Sequence, residues 1–151
     1  KVDYDYIMWI DSDMVFKPED FFKLLEHDKD IVSGMYKMSD DVNYATVETM
    51  NEEFFEEWMH YQFMQKKDIE NKKETLFKVD YTGMGWMLVR KGVIEKMKYP
   101  YFYPRKKVWK QYGWEEFVWD DVEFCLRARE NGHDIWIDPK IRIGHEKVKI
   151  L

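Results

Sequence analysis

Tyr6-Ile7-Met8-Trp9-Ile10, running straight into Asp11-Ser12-Asp13, decides how this chain is read. Five apolar residues without a polar break predict a strand buried on both faces, as in a parallel sheet. Such a strand delivers whatever follows it to the carboxyl edge of the sheet, where open α/β folds bind ligands. Two carboxylates one residue apart at that edge can converge on a hard divalent cation, which prefers oxygen ligands. The competing reading is an Asp-rich turn that serves only the backbone. A central strand so close to Lys1 is an unusual place for a domain to start, and it predicts an upstream part of the same unit.

The rest of the composition narrows the class. The chain has 151 residues, enough for one domain with a real core. Hydrophobic residues make up 45% and aromatics 18%, which excludes a disordered chain and makes aromatic-lined surfaces plausible. A formal charge of −6 argues against a nucleic-acid backbone as the main partner. The single cysteine, Cys125, allows neither a disulfide framework nor a thiolate metal cage. With no signal peptide and no apolar run near the length of a membrane span, a cytoplasmic protein is expected.

Strand and helix alternate along the chain. Pro18, Glu19 and Asp20 open a helix whose apolar stripe, Phe21, Phe22, Leu24 and Leu25, ends near His27. Ile31 to Tyr36 is a second strand, with Gly34 marking a close backbone approach. Residues 39–78 are polar and charge-rich and read as a helical insert or lid. Within it Asn51 caps a helix to about Lys66, with Phe54, Phe55, Trp58, Met59 and Phe63 facing inward. Strand-like runs at Phe77–Tyr81 and Trp86–Val89 flank Thr82-Gly83-Met84-Gly85, either a plain hairpin or a turn past which a ligand fits. Gly92 to Met97 forms a short helix. The aromatics of Tyr99–Pro104 form a sugar-stacking wall or cover the core.

Trp119-Asp120-Asp121 opens a further helix that ends at Gly132, with Phe124, Cys125 and Ala128 on its inward face. A helix amino terminus favours the ionised carboxylate, so an Asp there stays charged and can accept a proton. Its other reading is a plain helix cap. Ile135–Ile137 and Ile141–Ile143 read as short edge strands joined through Asp138-Pro139. They are followed by His145, whose neutral imidazole suits a transition metal such as manganese.

In this order the features resemble a glycosyltransferase of the A-fold class, most closely family 2 and its relatives. The resemblance covers about residues 3–36, 79–98 and 114–146 and leaves the insert unmatched. It implies an α/β fold with a mixed, mostly parallel sheet flanked by helices, here a single partial catalytic domain over residues 1–151. A nucleotide-binding βαβ half would precede the first strand. The Asp-X-Asp element implies Asp11 and Asp13 as holders of a divalent metal, Mn2+ or Mg2+, on the diphosphate of a nucleotide-diphosphate sugar, with His145 as a further ligand. The glycine-containing segment implies Gly83, Met84, Gly85 and Trp86 as lining of the sugar and acceptor pocket. The acidic pair, usually Glu-Asp in the family and Asp120-Asp121 here, implies Asp121 as general base and an inverting transfer to an acceptor hydroxyl. Tyr81, Trp86 and Trp119 are candidates for sugar stacking. A haloacid-dehalogenase-type phosphatase is weaker: it needs an acidic pair at the end of an apolar strand, and Asp120-Asp121 opens a helix. A calcium loop fails because Val15 takes a ligand position. The non-enzymatic alternative is a carbohydrate-binding or scaffold remnant of the fold.

Overall fold

The structure, a computed structural model, describes residues 3–72, 75–109 and 113–147. Its first third holds β1 (Tyr6–Ile10), β2 (Met14–Val15), α1 (Pro18–Glu26) and β3 (Ile31–Met35). Then come β4 (Thr46–Val47), α2 (Glu52–Trp58), α3 (Lys66–Glu70), β5 (Phe77–Val79), β6 (Tyr81–Thr82), β7 (Trp86–Arg90) and α4 (Val93–Lys96). The last third holds β8 (Lys106–Trp109), β9 (Trp114–Phe117), α5 (Asp120–Glu130), β10 (Ile135–Arg142) and β11 (Gly144–His145).

Five strands form one sheet in the order β1-β7-β3-β10-β5, with β3 at its centre and every β3 residue buried. The alternation of side chains along β7 shows how both faces are used. Trp86 and Leu88 point to a cluster with Leu24 of α1 and Ile141, while Met87 and Val89 join Phe124, Cys125 and Ala128 of α5. Helices therefore cover both faces, which explains the unbroken apolar run Trp86–Val89 of β7. α1 starts where the sequence predicts, its Asp20 carboxylate accepting from the Lys17 N–H at 3.2 Å. α5 stops at Gly132, which has a φ of 83° that suits glycine.

Four expectations are corrected. The sheet is mixed but not mostly parallel: β3–β10 is a parallel pair, and β1–β7, β3–β7 and β10–β5 are antiparallel. β1 is an edge strand with half-buried side chains, because among the described residues it pairs with β7 alone. Its apolar side chains are covered in part, Trp9 packing edge-on against Phe102 with 5.4 Å between ring centroids. Ile135–Ile143 is not two edge strands. β10 runs through Asp138-Pro139 with a register break and sits between β3 and β5.

The insert is helical only in part. Asn51 Oδ1 accepts from the Phe54 N–H at 3.0 Å as predicted, but α2 ends at Met59, in the left-handed region with φ 58°. Trp58 consequently points to solvent, and the chain runs on without regular structure, the Phe63 N–H turning back to the Tyr61 carbonyl at 3.0 Å. Met64 then bonds to the segment leading into β4, through Tyr44 N–H to Met64 C=O and Met64 N–H to Thr46 C=O, both 2.9 Å. β4 in turn pairs with β6. Among the described residues no helix is long and apolar enough to cross a membrane.

The close approach predicted at Gly34 is real. A Cβ there would lie 2.6 Å from Ile141 Cγ2 and 2.9 Å from the Ile141 carbonyl oxygen, across the β3–β10 pair. Backbone cannot yield as a flexible side chain does, so Gly34→Ala is expected to destabilise the fold by about 1–3 kcal/mol, as overpacked cores do. Urea unfolding of the two proteins measures it, and equal midpoints would show that the strands separate without cost.

Candidate active site

The carboxyl ends of β1, β3 and β10 and the amino end of β7 meet at one edge of the sheet. Asp11 leaves β1 there and donates its backbone N–H to the Gly85 carbonyl at 3.0 Å. Tyr36 leaves β3 at the same edge. Its hydroxyl accepts from the Gly85 N–H at 3.0 Å and its ring meets His145 edge-on. The sequence contains this residue directly after an apolar strand, a signal that could have marked it as a site residue.

Tyr36 also accounts for Gly83, and with Met14 and Asp11 it crowds Gly85. A Cβ on Gly83 would lie 2.2 Å from the Tyr36 hydroxyl; one on Gly85 would lie 2.6 Å from Met14 Cε and 3.0 Å from Asp11 Oδ2. Neither glycine has a positive φ. They are small because protein fills the space, so Gly83 and Gly85 shape the site without lining a sugar pocket. Trp86 is corrected too: it is fully buried against Phe16 in the core and has no face for a ligand. Met84 is partly buried against the α5 side of the core.

Asp13 and His145 come together across the whole chain. β11 pairs with β2 and brings His145 Nε2 to 3.0 Å from Asp13 Oδ2, with Lys147 Nζ at 3.4 Å from the same oxygen. The other ring nitrogen, Nδ1, is 2.7 Å from the Lys37 carbonyl. A carbonyl only accepts, so Nδ1 carries the proton and Nε2 faces the carboxylate. Two lone pairs repel at that distance, and a proton or cation has to sit between them. A backbone-held Nδ1–H is also the arrangement that orients a metal-binding imidazole. The donor set of Asp13 and His145 thus fits a divalent cation. Asp11 does not complete it: no group of three His, Cys, Asp or Glu side chains poised for a metal occurs among the described residues. Partial desolvation works to raise the Asp13 pKa, but hydrogen bonding from Lys147 and the charge of His145 outweigh it and hold it below the usual carboxylate value.

The acidic pair lies in the first turn of α5, whose cap residue is Trp119 and neither Asp. Asp120 is exposed and accepts the Asp121 N–H at 3.1 Å. Asp121 turns inward: Oδ1 accepts the Val122 N–H at 2.7 Å and Oδ2 accepts the Tyr81 hydroxyl at 2.7 Å. Contrary to the helix-terminus argument, its pKa is raised. Burial is the largest cause, and hydrogen bonds from Tyr81 and Val122 offset it only in part. Tyr81, buried itself, orients Asp121 and is no exposed stacking platform. Its strand is held by Thr46 Oγ1 to Thr82 Oγ1 at 3.2 Å and by Cys125 Sγ to the Thr82 carbonyl at 3.4 Å. Full burial pushes the Cys125 thiol up to about 12, which leaves it unreactive.

Beside Asp121 a cleft of about 160 Å³ opens between the insert and the start of α5, lined by Tyr61, Phe63, Tyr81, Phe117, Trp119 and Val122 among others. A broader depression of about 500 Å³ lies next to His145, with Tyr44 and Arg142 on its wall.

No protein-family model matches the chain, and no curated protein matches it either. In structure it is similar to A197 from STIV, with a TM-score of 0.61 at 18% sequence identity. The match covers 96% of this chain and 59% of that one, so the chain spans under two thirds of the length of this neighbour. At that identity the likeness speaks for the arrangement of strands and helices alone.

Folding makes the Asp121 carboxylate harder to ionise. A group with a raised folded-state pKa contributes stability at acidic pH and loses it as pH rises through the folded value. The neutral Asp121→Asn variant escapes that loss. Its melting temperature relative to wild type is expected to climb between acidic and neutral pH, read by a thermal-melt series. A difference independent of pH would mean that Asp121 is solvated as an ordinary carboxylate.

Proposed function

We propose that this chain carries the metal and acceptor side of a glycosyltransferase of the A-fold class, moving a sugar from a nucleotide-diphosphate sugar to an acceptor hydroxyl with inversion. What carries the reading is the convergence of Asp11, the Asp13–His145 pair and Asp121 around Tyr36 from segments far apart in sequence: burial and charge raise the Tyr36 pKa, with Asp121 and Asp11 both contributing. Carboxylates serving one reaction in different roles need different environments, and these have them. Asp121, with its raised pKa, suits the base that takes the acceptor proton as the hydroxyl attacks the anomeric carbon. Tyr81 and the Val122 N–H hold its two oxygens in place. Asp13 and His145 are the residues that would hold Mn2+ or Mg2+. A cation there supplies charge neutralisation for a departing diphosphate.

The outer edge of β1 carries no strand among the described residues, and the reading places the nucleotide-recognising βαβ unit against it. A phosphatase with Asp11 as nucleophile finds less support, because Asp120-Asp121 opens α5 and does not end an apolar strand.

Two measurements on the full-length protein test the reading. Mn2+ should raise the melting temperature, by the equivalent of about 2.7 kcal/mol at a hundredfold excess over its dissociation constant. Asp13→Ala should abolish the shift; an unaltered shift removes Asp13 from the site. With a panel of nucleotide-diphosphate sugars, Asp121→Asn should lose about 10²–10⁴-fold in turnover at near-normal donor affinity, and Asp120→Asn much less. Wild-type turnover by both variants would refute the base assignment.

A further inference from the structure

We propose that the loop joining α4 to β8 is a membrane-contact site, which docks the protein on an anionic bilayer surface without spanning it. Residues 98–104, Lys98-Tyr99-Pro100-Tyr101-Phe102-Tyr103-Pro104, are exposed without interruption. Four aromatics in so short an exposed run make a patch of the kind that marks a contact surface. The loop sorts them by chemistry. Phe102, the ring without a polar tip, turns to the core and stacks on Phe124 of α5 at 5.6 Å between centroids. Tyr99 and Tyr101 pair with each other, edge-on at 5.5 Å, and Tyr99 and Tyr103 are 77% and 56% exposed. A tyrosine has an apolar body and a hydroxyl tip, which suits the boundary between acyl chains and headgroups. The loop also has its shape before any contact is made. The Arg127 guanidinium donates to the carbonyls of Lys98, Pro100 and Tyr101, so α5 fixes three of its backbone acceptors. A surface fixed in advance loses little freedom on docking.

Charge selects the surface. Residues 96–107 hold five cations, Lys96, Lys98, Arg105, Lys106 and Lys107, and no Asp or Glu, in a chain of net charge −6. Three of the five are answered within the protein: Arg105 by Glu123 and Glu130, Lys106 by Glu115, and Lys107 by Glu52. The acidic neighbour Glu95 is engaged as well, accepting from the Tyr4 hydroxyl and the Gly92 N–H. Lys96 and Lys98 are exposed, directly precede the tyrosines and pair with no carboxylate among the described residues. Two such ammonium groups beside three amphipathic rings complement anionic headgroups, whose negative potential attracts lysine. Lys98 also lines a depression of about 380 Å³ with Tyr99, Tyr103, Arg105 and Arg127, room for a headgroup phosphate. The acidic residue on its wall, Glu123, is the partner of Arg105. The loop rests on α5 beyond Asp121, at Phe124 and Arg127, so docking is independent of the transferase reading.

Co-sedimentation of the full-length protein with lipid vesicles tests the proposal. Vesicles of phosphatidylcholine mixed with phosphatidylglycerol should carry the protein down, and vesicles of phosphatidylcholine alone much less. Lys96→Gln/Lys98→Gln should weaken binding to the mixed vesicles about tenfold and abolish the preference for them. Tyr99→Ser/Tyr103→Ser should weaken binding to both kinds of vesicle. Trp58→Ala, which removes an exposed Trp from α2, should change nothing. Thermal melts verify that the variants keep the fold, and the lysine pair, which answers no carboxylate, decides the matter if the tyrosine variant melts early. Failure to bind the mixed vesicles, or unchanged binding by the lysine variant, would overturn the proposal. So would equal competition by soluble glycerol 1-phosphate, which would make the site one for a free phosphate ester. Self-association in sedimentation velocity that the tyrosine variant abolishes would also overturn it, in favour of a second copy of the chain. Vesicle binding by a protein that Mn2+ does not stabilise would leave the membrane contact standing and remove the transferase reading instead.

Discussion

The hydroxyl of Tyr36 is the constraint on which this edge of the molecule depends. It lies 2.2 Å from where a Cβ of Gly83 would be and 3.1 Å from where one of Gly85 would be, and it accepts the Gly85 N–H. Gly85 then accepts from Asp11 through its carbonyl, so the ends of β1 and β3 and the start of β7 are tied in one chain of contacts. A buried backbone N–H left without its acceptor costs about 1–3 kcal/mol, so the phenol cannot leave without disturbing the loop that carries Asp11. The same ring touches His145, which extends the constraint to β11 and through it to Asp13.

Around that fixed phenol the carboxylates are held in unlike states. Asp13 faces a lysine and an imidazole and stays ionised; Asp121 is drawn inward, where burial outweighs the hydrogen bonds it accepts. The division follows from position in the fold. β2 and β11 leave Asp13 at the surface within reach of Lys147, whereas α5 packs against β6 and carries Asp121 under Tyr81.

The insert is tied down at both ends of its contact with the core. The β4–β6 ladder and the Thr46–Thr82 contact hold its start. Asp80 fixes its return by accepting from the Met50 N–H and pairing with Arg129 of α5 at 2.7 Å. Held this way, it faces the start of α5 across a narrow aromatic cleft.

Much of this was legible in the residues themselves, because local chemistry decides it. Pro18 with Asp20, Asn51, Gly34 and Gly132 mark a helix start, a cap, a close contact and a helix stop in the places where the structure has them. The runs Ile31–Tyr36 and Trp86–Val89, read as strands, are β3 and β7, and the candidate acidic residues are all found at or beside one edge. Strand direction was not legible: an apolar run has the same pattern in a parallel or an antiparallel neighbour, and β1 looks central while lying at the edge. Nor was the purpose of Gly83 and Gly85, since a glycine reports only that something comes close. That the something is Tyr36 at Gly83 and Met14 with Asp11 at Gly85, that Trp86 belongs to the core, and that burial raises Asp121 where a helix terminus alone would lower it were decided by tertiary packing. Each depends on which distant side chain fills a space or excludes water from it, and spacing along the chain does not encode that.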